Sequence, residues 1–186
     1  TPGFSDKETG VLVEGCRNIP HLQGNSIGGW LSREFGVPAI VDNDATSAAA
    51  GELEFGVGRR FRSFVLITVG TGIGGGLVLD GRVYRGARGF AGEIGHMCLD
   101  PNGLWCNCGS RGCFEQYASA PAITRLYREK CLKRGRAVSE AVTAREVFTA
   151  AAEGDGLALD TVDAAARRIA QGFGTLLNVL NVEACV

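Results

Sequence analysis

His96, Cys106, Cys108 and Cys113 fall in one short stretch of the chain, with Cys106-Asn107-Cys108-Gly109 and Gly112-Cys113 spaced by glycine. One imidazole and three thiolates are the donor set of a closed, tetrahedral structural zinc site. Pro101, Gly103, Gly109 and Gly112 let the segment double back, so that all four donors can face one ion. Cys98 is a spare donor two residues after His96. It is set aside because the other three cysteines form the tighter knot. The plain alternative is a group of free or disulfide-bonded cysteines.

Two carboxylates flank the knot. Glu93 precedes His96 in Gly92-Glu93-Ile94-Gly95-His96, and Glu115 follows Cys113. A metal that clamps both ends of a loop also fixes what stands beside those ends, which points to a carboxylate-lined pocket. Alone, either Glu reads as a solvated surface acid. Gly70-Thr71-Gly72-Ile73-Gly74-Gly75-Gly76 is a second signal. Backbone N–H groups unobstructed by side chains can form an anion nest, with the Thr71 hydroxyl as a further donor. The run is neither a Walker A loop nor a GxGxxG opening a helix, and glycines in a hairpin also serve bulges and close packing. Asn43-Asp44 is the third signal. An Asp at a strand end can take a proton from an attacking hydroxyl. It can equally cap the helix that begins at Ala45.

The elements that must position these groups follow from the pattern. Apolar Ile27, Trp30, Leu31 and Phe35 predict a helix over 27–35 that Gly36 ends. Val37–Val41 reads as a short strand, stopped by Asp42-Asn43-Asp44, and a helix rich in small residues runs from Ala45 to about Leu53. Phe64–Val69 is a strand, Gly70–Gly76 a turn, Leu77–Leu79 a return strand, and Asp80-Gly81 a hairpin into Arg82-Val83-Tyr84. Phe114–Leu132 is helical with Pro121 as a point of breakage or restart, and Arg145–Ala152 is a helix with Thr143 as N-cap. A long helix follows over 157–182, apolar at Ala165, Ile169, Phe173, Leu176, Leu177 and Leu180. Val11-Leu12-Val13 is a short strand within a loop-rich start marked by Pro2-Gly3, Thr9-Gly10 and Asn18-Ile19-Pro20.

With 186 residues the chain can bury a substantial core as one large domain or two small ones. Lys and Arg total 19 against 20 Asp and Glu, so bulk charge gives no sign of nucleic-acid or membrane-surface binding. The seven cysteines are odd in number; Cys16, Cys98, Cys131 and Cys185 are scattered, a usage that suits a reducing cytoplasm. No apolar run reaches membrane-spanning length.

Val41-Asp42-Asn43-Asp44-Ala45-Thr46-Ser47, Thr68-Val69-Gly70-Thr71-Gly72, Gly92-Glu93-Ile94-Gly95-His96 and Cys106-Asn107-Cys108-Gly109-Ser110-Arg111-Gly112-Cys113-Phe114-Glu115 occur in this order. The set resembles the ROK family of sugar kinases and sugar-responsive repressors, its glucokinase branch above all, from about Pro2 to about Glu183. The resemblance implies an α/β fold of the actin-like ATPase (ribonuclease H-like) type. Residues 1–44 would be the remainder of the small N-terminal lobe and 45–186 the larger C-terminal lobe, with the zinc loop at 96–113. It implies phosphorylation of a hexose by ATP with Mg²⁺, glucose to glucose 6-phosphate foremost. Asp44 would be the base, and Asn43, Asp44, Glu93, His96 and Glu115 would bind the sugar. Gly70, Thr71 and Gly72 would face the ATP phosphates. His96, Cys106, Cys108 and Cys113 would hold a structural Zn²⁺.

The resemblance further implies a homo-oligomer, dimer or tetramer. Against its pattern the chain opens partway through the first lobe, without an Asp-x-Gly-Gly-Thr phosphate loop, and stops before a Gly-Gly segment of the nucleotide site. A chain of that extent is expected to bind hexose weakly and to turn over little ATP. Two other readings stand beside the kinase. One is the sugar-sensing domain of a ROK repressor, which would touch nucleic acid only through a helix-turn-helix preceding this chain. The other is a catalytically impaired sugar-binding fragment.

Overall fold

A computed structural model describes residues 4–5, 11–14 and 20–186. Pro2-Gly3, Thr9-Gly10, Asn18-Ile19 and Cys16 lie outside the described residues. The chain divides into two compact units: 1–67, 75–93 and 182–186 in the first, and 68–74 with 94–181 in the second. The helix after Asn43 packs on the strand that contains Gly76, and 45–67 fall with the preceding residues.

In the first unit, β1 (Phe4–Ser5) pairs antiparallel with β2 (Leu12–Glu14). Helix α1 (Ile27–Phe35) starts where the Ser26 hydroxyl accepts the Gly29 N–H at 3.1 Å. It stops at Gly36, whose φ of 66° lets its N–H reach the Ser32 carbonyl. The strand expected at Val37–Val41 does not form a ladder among the described residues. The Ala39 N–H goes instead to the Ser32 hydroxyl at 2.9 Å, Pro38 has no N–H to offer, and Ile40 is 91% exposed. An apolar run becomes a strand only where a neighbour takes its hydrogen bonds.

Helix α2 (Asp44–Glu54) is capped by Asn43, not by Asp44: the Asn43 side chain accepts the Ala45 and Thr46 N–H groups. Strand β3 (Phe64–Val69) follows, and then β4 (Ile73–Leu79), which is longer than the return strand expected. Gly74, Gly75 and Gly76 are therefore strand residues, not turn residues. A Cβ at Gly76 would stand 2.7 Å from the Ala45 carbonyl oxygen and collide with the Ala49 methyl, so glycine there lets α2 lie directly on the sheet. Asp80 and Gly81, at φ 51° and 73°, make the two-residue hairpin into β5 (Arg82–Tyr84). A short β6 (Ala184–Cys185) pairs parallel with β3 at Phe64 and Val65, giving the order β5-β4-β3-β6. Ala49, Phe64, Leu66 and Val78 form the core of this unit.

The second unit is helical around the 96–113 loop. Helix α3 (Glu115–Ala118) ends at Ser119, which is also the N-cap of α4 (Ala120–Lys133), so Pro121 in its first turn restarts the helix. Helix α5 (Ala144–Ala152) has the expected Thr143 cap, in a full capping box with Glu146. Helix α6 (Gly156–Leu180) is capped by Asp155. Its expected apolar stripe buries Ala165 and Leu176, whereas Leu177 remains 41% exposed. Ile123, Tyr127 and Cys131 of α4 meet Val147 and Ala151 of α5 and Ala158 and Ala165 of α6 in one core.

Candidate functional site

The 96–113 loop folds on itself through its backbone. Leu99 N–H donates to Gly112 O and Gly112 N–H to Leu104 O, both at 2.8 Å, and Cys98 bridges to Cys113 and Trp105 to Arg111 as antiparallel pairs. Gly112 holds φ 69°, and a Cβ there would collide with the Asp100 carbonyl oxygen. Helix α6 anchors the loop: Gly172 leaves room for the fully buried Phe114 ring, which a Cβ would approach to 2.8 Å. Burying that ring stabilises the contact by about 3 kcal/mol at most. Arg168 of α6 stacks 4.7 Å from the Tyr117 ring, whose hydroxyl accepts the Leu104 N–H.

Closed in this way, the loop brings His96, Cys106, Cys108 and Cys113 together, with their donor atoms all within 4.8 Å of one another. His96 Nδ1 is 3.6 Å from Cys106 Sγ, and Cys108 Sγ is 3.5 Å from Cys113 Sγ. A tetrahedral zinc with ordinary bond lengths has donor–donor edges of about 3.6–3.8 Å, so this set can hold such an ion. The thiols are free of disulfides, and Cys98 is exposed and outside the cluster. Burial, reinforced by hydrogen bonds with Cys108 and Cys106, pushes the Cys113 thiol up to about 12. Burial also raises Cys106, whereas the Ser110 N–H holds Cys108 below the ordinary thiol value. A cation among them would deprotonate the set outright.

Glu115 opens α3 and joins this cluster to the glycine turn. Its Oε1 accepts from Cys106 Sγ at 3.2 Å and lies 3.8 Å from His96 Nδ1. Its Oε2 faces Gly72, where a Cβ would come within 3.0 Å. The turn is narrower than its sequence suggests, because the Gly70 N–H is already spent on the Gly72 carbonyl at 2.9 Å. The Gly70 carbonyl accepts the Ala120 N–H at 2.8 Å, which pins the turn to the start of α4. Beside it opens an apolar cavity of about 180 Å³, lined by Val69, Ala120, Ile123, Phe148, Val162 and Ile169 among others. Neither the Glu115–Gly72 approach nor this cavity is marked by any motif.

Asn43, Asp44 and Glu93 belong to the first unit. Asp44 is the first residue of α2 and is exposed, with Oδ1 accepting the Ala45 N–H at 2.9 Å. Glu93 is exposed and follows Gly92, whose φ of 98° turns the chain against the Gly75 carbonyl. The sequence analysis gives Asp42 no role beyond the polar cluster that stops the preceding run. Its Oδ2 takes the Arg85 guanidinium at 2.7–2.8 Å, and its Oδ1 accepts the Asn43 N–H at 2.9 Å. The one available signal was an acid immediately before Asn43-Asp44.

The chain is 39% identical, over its whole length, to a glucokinase of Halalkalibacterium halodurans, and spans 58% of that protein. It is 30% identical to a xylose repressor of Caldicellulosiruptor bescii over 98% of the chain and 47% of the repressor. A ROK family glucokinase of Streptomyces griseus, solved with glucose and AMPPNP, superposes on 99% of the chain and 62% of that structure at a TM-score of 0.84, with 30% identity. The fold is thus the α/β, actin-like ATPase fold of the ROK sugar kinases. With the ROK family model matched across residues 2–186, the chain belongs to the ROK family.

Proposed function

We propose that this protein phosphorylates a hexose, glucose foremost, at the expense of ATP. The observation that carries the reading is Glu115, one of whose carboxylate oxygens meets Cys106 and His96 of the metal cluster while the other faces the glycine turn. One side chain thereby stands beside both a sugar-side group and a phosphate-side loop. Glucokinases among the relatives support the same reading.

In this reading Asn43, Glu93, His96 and Glu115 accept or donate hydrogen bonds to the sugar hydroxyls, which are donors as well as acceptors. His96 turns Nδ1 toward the cluster, so Nε2, across the ring, is the atom that meets the sugar. Asp44 takes the proton of the attacking hydroxyl as its oxygen bonds to the γ-phosphorus and the bond to the leaving ADP breaks. Thr71 and Gly72 present their N–H groups to the phosphates, and Gly70 keeps the turn in shape. The apolar cavity next to the turn suits a flat base. A zinc ion would be held by His96, Cys106, Cys108 and Cys113 as a structural clamp, and Mg²⁺ with ATP would neutralise developing charge.

The test is calorimetric titration of zinc-replete protein with glucose, mannose and N-acetylglucosamine, together with ADP release in the presence of each. Weak glucose binding with slow, glucose-dependent ADP release is expected of this chain, which spans 58% of a glucokinase relative. If no hexose binds and none stimulates ADP release, the reading is wrong. Xylose repressors among the relatives favour a second reading, a sugar-sensing module. Hexose binding with no ADP release under any condition would select it.

A further inference from the structure

We propose that Arg85 is a positioning residue for the sugar side of this site, holding the segment that carries Asn43 and Asp44. The inference rests on the kinase reading for its functional consequence, and on geometry alone for the positioning. Arg85 follows β5, and its Nε and Nη2 both contact Asp42 Oδ2, at 2.8 and 2.7 Å. The other Asp42 oxygen accepts the Asn43 N–H at 2.9 Å. Asn43 in turn accepts the Ala45 and Thr46 N–H groups at 2.9 and 3.1 Å. An unbroken chain of polar contacts therefore runs from the hairpin to the first turn of α2, where Asp44 stands.

The same residue shapes a second segment. The Arg85 carbonyl accepts the Ala91 N–H at 3.1 Å, closing the loop that leads to Gly92 and Glu93. Gly86, at φ 69°, lets the chain turn immediately after Arg85. Arg85 thus grips the base-bearing segment with its side chain and the Glu93-bearing loop with its backbone. The Arg85 and Asp42 side chains are only 35% and 20% exposed, so the pair is shielded more than a surface ion pair. A planar guanidinium can set two N–H groups on one carboxylate in a fixed direction, and an ammonium cannot. Nothing in this arrangement requires Arg85 to touch the sugar or the phosphates.

The experiment compares Arg85→Gln, Arg85→Lys and Asp42→Asn, singly and as Arg85→Gln with Asp42→Asn, in zinc-replete protein. The first readout needs no activity: amide exchange at Ala45 and Thr46 should quicken in Arg85→Gln and Asp42→Asn, with the double variant no faster than either. Amides of Leu104 and Cys106 in the metal loop serve as the internal control and should not change. The second readout is kinetic. Arg85→Gln should lower kcat/KM for the hexose about 100-fold, the scale expected for a misplaced reacting group, while KM for ATP stays within a few-fold. Arg85→Lys should fall between, since it restores charge without the fork. Unchanged exchange at Ala45 and Thr46 overturns the proposal, as does an additive double variant. Should wild-type protein phosphorylate no hexose, the kinase reading falls, and the exchange result still decides whether Arg85 holds the segment.

Discussion

Asp44 offers an exposed carboxylate at the first position of α2, with Oδ1 on the Ala45 N–H and Oδ2 as the oxygen that would receive a proton. Because the cap is Asn43, removing the Asp44 charge need not unravel the helix. Asp44→Asn should lower kcat for hexose phosphorylation by roughly 10²–10⁴-fold, with KM for the sugar little changed, because a general base acts in the transition state. Near wild-type turnover in a steady-state assay would remove Asp44 from the mechanism. The cysteines make a separate prediction. In the metal-free protein the Cys113 thiol sits at about 12 and Cys106 is also raised, so both carry protons at neutral pH. Zinc must displace both. Its affinity should therefore fall as pH falls, by at least about 100-fold per pH unit for these two protons. Competition with a chromophoric chelator at pH 6.5 and 7.5 measures this, and a change below tenfold would contradict it.

Among the elements, α5 and α6 are held at their starts by acids. The Thr143 hydroxyl and N–H lower the Glu146 carboxyl, and the Ala158 N–H, followed by Arg136, lowers Asp155. Both groups are depressed in the folded state. Their contribution is thus complete above the unfolded carboxylate range and is lost as pH falls through the folded values. Asp155→Asn keeps an oxygen for the Leu157 and Ala158 N–H groups and cannot titrate. The melting temperature of this variant should decline less between pH 5 and pH 3 than that of the wild type. Parallel declines in a pH series of thermal melts would show that the Asp155 charge is not part of acid stability. The glycines of β4 act at the same scale. Gly76 sets the distance between α2 and the sheet, and so the seat of Asn43-Asp44, without any chemistry of its own.

At the scale of the molecule, the metal loop and the α4–α5–α6 core are held by different means. The core closes through buried Ile123, Tyr127, Cys131 and Val147. The loop closes around four donors that supply little apolar burial, with Cys108 and His96 exposed. Chelation should therefore open the 96–113 loop to protease while most of the helical circular dichroism persists. It should also abolish any rise in melting temperature caused by glucose, since Glu115 and His96 lose their anchor. A glucose-dependent rise that survives complete metal removal would separate the cluster from the sugar site.

The sequence alone determined what depends on neighbours along the chain. Gly36 ends α1, Thr143 caps α5 and Asp80-Gly81 makes the hairpin, because each acts on residues close along the chain. The clustering of His96, Cys106, Cys108 and Cys113 was legible too, since the four stand in one short, glycine-spaced stretch. Tertiary structure decided the rest. Val37–Val41 has the composition of a strand but no partner in a ladder among the described residues, and β6 is too short to show a period. Gly74–Gly76 reads as a turn until Ala45 and Ala49 are seen packed against it. Asp42 and Arg85 stand 43 residues apart, and Glu115 reaches Gly72 across a comparable gap. Periodicity and caps record local hydrogen bonding, whereas which distant groups meet is settled only when the chain packs.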